Sequence, residues 1–428
     1  DATSGQDAMI DAPNIDLANV VLSLSDALDT ALPGLRDHHH RVAYIALRIA
    51  DAVDYPRELR NDLLYAAALH GAALVGIEEA NEQSAHGSHS LNIMHAEQSA
   101  RMLDGFPLFR EAARIVRFHN VPWGHGHGEF VKDQPVPRAS HILRLADWIE
   151  TAIEPDIPIL RQRADIVQGI RDMGETAFPG ELVAAFVELS KAESFWLDTV
   201  NRRVYSLLLG LRPTAACLRS IEEVNQVASV FAQIIDFKSR FTATHSTGVA
   251  VTACELAKRM HFPPPEQKMM AVAGLLHDLG KLGVPVSILN KPGKLEPAEF
   301  EVMRAHPYHT FHILRTVKGL GNVVPWASFH HERLDGKGYP FHMDDEGLTL
   351  GTRIMAVADV FTALAENRPY RKGMSEKQIR SILEDMASVS LDRDVTDIAL
   401  ENLEDIRGAT LDAQIAAVKR YEFFEAAS

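Results

Sequence analysis

Apolar residues recur at three- and four-residue spacing along most of this chain. The segments RVAYIALRIADAV (41–53), TGVAVTACELAKRM (247–260) and EKQIRSILEDMA (376–387) each lay one apolar stripe along a helix. Strand-like alternation is scarce. Pro and Gly punctuate at Pro33-Gly34, Pro122, Pro263 to Pro265, Pro292-Gly293 and Gly336 to Pro340. The pattern predicts an all-α fold. A longer amphipathic stretch, from Glu181 to about Leu209, predicts a connecting helix broken at Leu211-Arg212-Pro213, with the helical pattern restarting over Ile221 to Phe237.

The helical pattern contains a repeat. His245 precedes His277 by 32 residues, and His38 precedes His70 by the same 32. His306 precedes His330 by 24, and His95 precedes His119 by 24. Asp359 follows His330 by 29, while Asp147 follows His119 by 28. Local context agrees: LLYAAALHG (63–71) resembles MMAVAGLLHD (269–278), and HILRLADWIE (141–150) resembles TRIMAVADVF (352–361). A series of matched spacings points to two tandem copies of one helical bundle. The expected domains are 10–209, including the connecting helix, and 218–428, with the boundary near 205–225.

Composition narrows the functions. The 428 residues suffice for two domains, each with a core. A net charge of −15 argues against a large surface for a nucleic-acid polymer, though a few converging cations still suit a small anion. Only Cys217 and Cys254 are present, which fits a reducing cytoplasm better than a disulfide framework. There is no apolar run of membrane-spanning length, and no charged-then-apolar leader of the secretory kind. The opening DATSGQDAM reads as an appended leader before a start at Met9, or as a frayed end.

The 20 histidines carry the chemistry, because many sit in short helical motifs. His277 and Asp278 close a strongly apolar helix, and His245, His306, the pair His330-His331 and Asp359 lie within or beside apolar helical segments. Unpaired, such groups would be costly to bury. Five imidazoles and two carboxylates exceed the needs of one ion and suit two ions with Asp278 as the bridge. The mixed set favours iron or manganese ahead of zinc, nickel or magnesium. Such a pair would polarise a phosphoryl oxygen and lower the pKa of a shared water. Lys281, one turn beyond His277, is expected to meet a phosphate oxygen as a point charge.

His277-Asp278 with the outer His245 and Asp359 resembles the HD phosphohydrolase superfamily. The run His330-His331-Glu332-Arg333-Leu334-Asp335-Gly336-Lys337-Gly338-Tyr339-Pro340 is similar to the signature of its HD-GYP subfamily. So are Ile288-Leu289-Asn290-Lys291-Pro292-Gly293-Lys294-Leu295 and Asn367-Arg368-Pro369-Tyr370-Arg371. The resemblance, over about residues 225–400, implies hydrolysis of cyclic di-GMP to pGpG and in many members on to GMP, with cyclic GMP-AMP as a neighbouring substrate. It implies that His245, His277, Asp278, His306, His330, His331 and Asp359 are metal ligands, with Asp278 and Lys281 at the catalytic centre. Lys281, Arg368 and Arg371 become substrate contacts, and the Gly338-Tyr339-Pro340 loop a support or a contact for a protein partner.

Three positions depart from the subfamily. Phe241 stands where three-metal members carry Glu, so two metals are expected. Thr310 replaces a Gly and Thr362 an Asp, both read as adjustments of pocket shape. Two other classes of function compete: a general HD nucleotide phosphohydrolase, which would lack the long HHERLDGKGYP element, and a receptor that binds a cyclic dinucleotide without turning it over.

The first copy is degraded. His38, His70, His95, His119 and Asp147 survive, but Gly71 stands at the bridging place, Leu74 at the lysine and Asn120 at the second His of the pair. A dinuclear centre should not assemble there. A single ion on His38, His70 and Asp147 stays open beside the reading of these histidines as hydrogen-bonded core. In the run His38-His39-His40, neighbouring rings diverge by about 100° on the helical period and cannot share one ion. The loop Gly124-His125-Gly126-His127-Gly128 reads as a solvated turn. The first domain is expected to regulate, dimerise or stabilise, and a homodimer is compatible with it.

Overall fold

The computed structural model describes residues 13–31, 37–76, 89–212, 215–238, 244–366, 373–387 and 389–425. Its regular structure is almost wholly helical, as the periodicity predicts. Strand pairing among the described residues is confined to two short antiparallel ribbons, Ile15–Asp16 with Cys217–Leu218 and Phe130–Val131 with Gln134–Pro135.

The repeat is real in three dimensions. The first half sets out helices His38–Ala52, Arg60–Leu69, His89–Asp104, Arg110–Phe118 and Arg138–Thr151. The second half sets out His245–Arg259, Pro264–Leu276, His306–Leu314, Val323–Ser328 and Leu350–Ala365. In each half the first helix packs against the second and the fifth, the second against the fourth, and the third against the fourth. The starts follow local chemistry. Pro264 and Pro265 open their helix, where proline's missing N–H is no loss, and Thr349 caps Leu350–Ala365 by accepting from the Thr352 N–H.

The expected connecting helix is not one helix. It is broken into Gly180–Leu189, Glu193–Thr199 and Val204–Leu211. The breaks let Phe195 and Trp196 turn into the core of the first half, where Phe195 lies beside Tyr44 and both rings meet Phe186. Trp196 Nε1 donates to the carbonyl of Ser190, at the first break, and Asn201 Oδ1 accepts from the Arg203 N–H at the second. Amphipathic periodicity marks an apolar face; it does not say whether the chain bends to bury it.

The helix Leu17–Ala31 joins the halves. It packs on Arg60–Leu69, on the turn Leu279–Gly283 and on His306–Leu314. Val20 and Leu24 meet Leu276, Leu314 and Val317 around a small apolar gap, and Thr316 Oγ1 donates to Ser23 Oγ over 2.8 Å. Buried side chains of both bundles therefore form one continuous apolar core. Among the described residues no helix is long and apolar enough to cross a membrane.

Candidate metal centre

Helix ends build the site. His277 follows the last residue of Pro264–Leu276, His306 follows Pro297–Arg304, and His330 follows Val323–Ser328. The final carbonyls of a helix lack intrahelical partners. Each of these imidazoles satisfies one: Nδ1–H donates to the carbonyl three residues upstream, Gly274, Met303 and Ala327 respectively, over 2.7 Å. That bond fixes the tautomer and turns Nε2 away from the helix as a lone-pair donor. His245 opens its own helix, and its Nδ1 is held by Glu366 Oε2 at 3.1 Å instead.

The Nε2 atoms converge on Asp278. Its Oδ2 lies 3.2 Å from His277 Nε2 and 4.0 Å from His245 Nε2. Its Oδ1 lies 3.3 Å from His306 Nε2 and 3.9 Å from His330 Nε2. Asp359 Oδ1 closes the first set, 3.1 Å from His245 Nε2, and His306, His330 and His331 form a compact second set. One carboxylate thus faces a different cluster with each oxygen. All seven residues expected at the centre come together.

The donor set fits divalent cations. His277 Nε2 and Asp278 Oδ1 are buried without a hydrogen-bond partner, an omission that costs about 1–3 kcal/mol per group unless a cation satisfies it. Burial alone would push the Asp278 and Asp359 carboxyls up. His277 and Lys281 around the first, and His245 beside the second, outweigh burial and hold both well below the usual carboxylate range. Burial lowers His306, His330 and His331, the last to about 3, so they are neutral and able to ligate. For His245 burial is again the largest influence, yet Glu366 and Asp359 together raise it to about 10.

Several supporting residues were missed or misread in the sequence. Thr310 does not shape the pocket. Its buried hydroxyl accepts from the Gly280 N–H and donates to the His277 carbonyl, locking the ligand turn to the helix that carries His306. Thr362 is likewise internal: it bonds Thr252, which bonds Thr410, in a buried ladder behind the site. Glu366 gave no sequence signal beyond its distance from Asp359. Removing it should leave His245 free to turn. Glu366→Ala is expected to weaken metal affinity about 10–100-fold with helix content unchanged, read by metal titration and circular dichroism; an affinity equal to the parent chain would dismiss this role.

The loop after His331 is a support, as expected. Glu332 accepts from the N–H groups of Phe341 and Met343, the Tyr339 ring lies 4.8 Å from the His331 ring, and the Arg304 guanidinium lies 5.0 Å from the Tyr339 ring centre. Gly336 has φ 68°, and a Cβ at Gly338 would meet Glu332 Cα at 2.4 Å, so each position requires glycine for its own reason. Lys281 Nζ sits 2.5 Å from Asp278 Oδ2 and pairs with that carboxylate. Phe241, Arg368 and Arg371 lie outside the described residues.

The first half assembles a reduced version. His38, His70 and Asp147 converge, and His119 lies beside His70 with ring centroids 5.5 Å apart. The bridging place is filled: a Cβ on Gly71 would lie 2.5 Å from His39 Nε2. The three consecutive imidazoles are buried, and the rings of His38 and His39 both lie against His70 rather than pointing apart. His39 pairs with Asp29, and His40 Nε2 lies 2.9 Å from the Leu22 carbonyl. The run was therefore more informative than its spacing suggested. His125 and His127 are exposed on their turn, as expected.

Two family models, each describing an HD domain, match residues 229–395 and 35–152. A 3'3'-cGAMP-specific phosphodiesterase 1 of Vibrio cholerae is 28% identical over 398 residues, which cover 91% of this chain and 92% of the relative. A cyclic di-GMP phosphodiesterase of Pseudomonas aeruginosa is 44% identical over 136 residues, 31% of this chain and 32% of the relative. The crystal structure of a cyclic GMP-AMP-specific phosphodiesterase of V. cholerae (V-cGAP3) shares the fold, with a TM-score of 0.62 at 21% identity over 93% of this chain and 98% of that one. The matched segments are those that supply the two histidine clusters. The chain belongs to the HD phosphohydrolase superfamily, as a tandem-HD protein.

Proposed function

We propose that this chain is a metal-dependent phosphodiesterase that hydrolyses cyclic dinucleotides, cyclic di-GMP and cyclic GMP-AMP, to the linear dinucleotide. One observation carries the reading: Asp278 presents one oxygen to His277 and the other to His306, in a buried cluster of imidazoles. That is the donor set for two cations sharing a carboxylate. The ions proposed are iron or manganese, which supply charge to activate a water and polarise a phosphoryl oxygen. His245, His277 and Asp359 would hold one, His306, His330 and His331 the other, and Asp278 both. With Asp278 engaged in holding cations, Lys281 would be available to a phosphate oxygen, and Arg368 and Arg371 are proposed as further phosphate contacts. Residues 218–428 form the catalytic domain in this reading, and 10–209 a regulatory or dimerising one. Of the two relatives, one is named a 3'3'-cGAMP-specific phosphodiesterase and the other a cyclic di-GMP phosphodiesterase, which supports a cyclic dinucleotide substrate.

The purified chain, incubated with Mn(II) or Fe(II) and each cyclic dinucleotide, is expected to yield a linear product on chromatography. Binding without turnover would make it a receptor. Turnover of mononucleotides alone would make it a general phosphohydrolase. Either result overturns the proposal.

A further inference from the structure

Three donor atoms in the first half face one another. His38 Nε2 lies 3.3 Å from His70 Nε2 and 3.5 Å from Asp147 Oδ1, which is 3.6 Å from His70 Nε2. The other nitrogen of each ring is occupied. His38 Nδ1 lies 2.5 Å from Glu150 Oε2, and His70 Nδ1 donates to the Ala67 carbonyl over 2.8 Å. With His70 Nδ1 donating to a carbonyl, its Nε2 lone pair faces His38 Nε2 and the Asp147 carboxylate oxygen, a triangle that one positive charge, either a proton on His38 or a metal ion, holds together. The separations of 3.3–3.6 Å are those of three corners of a tetrahedron drawn around an ion with bonds of about 2.1 Å.

We propose that His38, His70 and Asp147 hold one four-coordinate divalent ion of the zinc class, at a site separate from the catalytic centre. The donor chemistry agrees: two imidazoles and one carboxylate are zinc ligands. The imidazoles are 7% and 5% exposed and Asp147 26%, so the fourth position opens beside the carboxylate, toward solvent. The His39 ring takes the space of the missing bridge, so no carboxylate stands there to join this site to a second ion. The ion ties together the helices His38–Ala52, Arg60–Leu69 and Arg138–Thr151. Through the His39–Asp29 pair it also steadies Leu17–Ala31, the helix that packs against the turn carrying Lys281 in the second half. The first bundle thus retains a metal after losing the means of hydrolysis.

Co(II) alone is the probe, added to chelator-stripped full-length protein, with uptake measured by elemental analysis and geometry by visible absorption. Asp147→Asn and His70→Gln are each expected to bind one equivalent fewer than the parent chain and to lose the intense bands of four-coordinate Co(II). Asp278→Ala is expected to keep that equivalent, those bands and a rise in melting temperature on adding Co(II). Adding Asp147→Asn to Asp278→Ala should abolish the rise. If Asp147→Asn stays folded by circular dichroism and takes up as much Co(II) as the parent, with the same spectrum, a proton occupies the triangle and the proposal fails. Loss of every equivalent in Asp278→Ala would overturn it equally. If Asp278→Ala instead keeps all the parent's metal, the catalytic centre proposed above falls and this site stands.

Discussion

Asp278→Ala is expected to empty both cation positions of the second half and to lower turnover by at least about 10³-fold, about 4 kcal/mol of transition-state stabilisation. The reason is the shared carboxylate. Its two oxygens face different imidazole sets, so its removal would take an anionic donor from both proposed cation positions and leave Asp359 as the one carboxylate among the proposed ligands. Asp278→Asn keeps the volume and removes the charge, which separates loss of ligation from loss of packing. Both variants should retain the parent's helix content, because Asp278 lies in a turn between helices. Elemental analysis beside a product assay reads the outcome. Full activity in either variant would refute the two-cation centre.

Gly280→Ala is expected to be nearly as damaging without touching a ligand. A Cβ there would lie 2.0 Å from the His306 carbonyl oxygen and 2.9 Å from the Thr310 nitrogen. Both atoms are backbone, so no side-chain rotation relieves the clash. The helix beginning at His306 must move away from the turn that carries Asp278, breaking the Thr310 clamp as it goes. The expected cost is about 3 kcal/mol of stability, the high end for forcing an extra methyl into a packed interior, with a fall in melting temperature of about 5 °C. A displacement of about 1 Å at His306 should also cost roughly a hundredfold in kcat. Melting curves and steady-state kinetics test the two parts separately. Parent-like stability would mean that the approach of the two backbones is looser than the structure has it.

Much of the site was legible because its ligands are helix-end residues whose spacing in sequence counts helices. Thirty-two residues from His245 to His277 are one antiparallel helix pair, and the first half keeps that count from His38 to His70. What escaped were groups whose role depends on what stands opposite. Glu366 is one charged residue among many until the His245 ring is found against it. Thr310 and Thr362 looked like losses from a motif, yet each hydroxyl is buried and paired. His39 could not be read, since a run of three imidazoles looks the same whether its rings are solvated or packed. The connecting helix failed for a related reason: its apolar stripe is genuine, and two turns fold the stripe inward around Phe195 and Trp196.

By itself the sequence determined the helical class and the tandem repeat, and it singled out the seven residues that meet in the second half and the glycine that stands opposite Asp278 in the first, because periodicity and residue chemistry are properties of the chain alone. Tertiary structure decided which oxygen of Asp278 faces which imidazole, what fills the space beside Gly71, and that Leu17–Ala31 joins the two bundles over one core. These are relations between residues far apart in the chain. They depend on directions and distances that no local pattern encodes, and packing alone sets them.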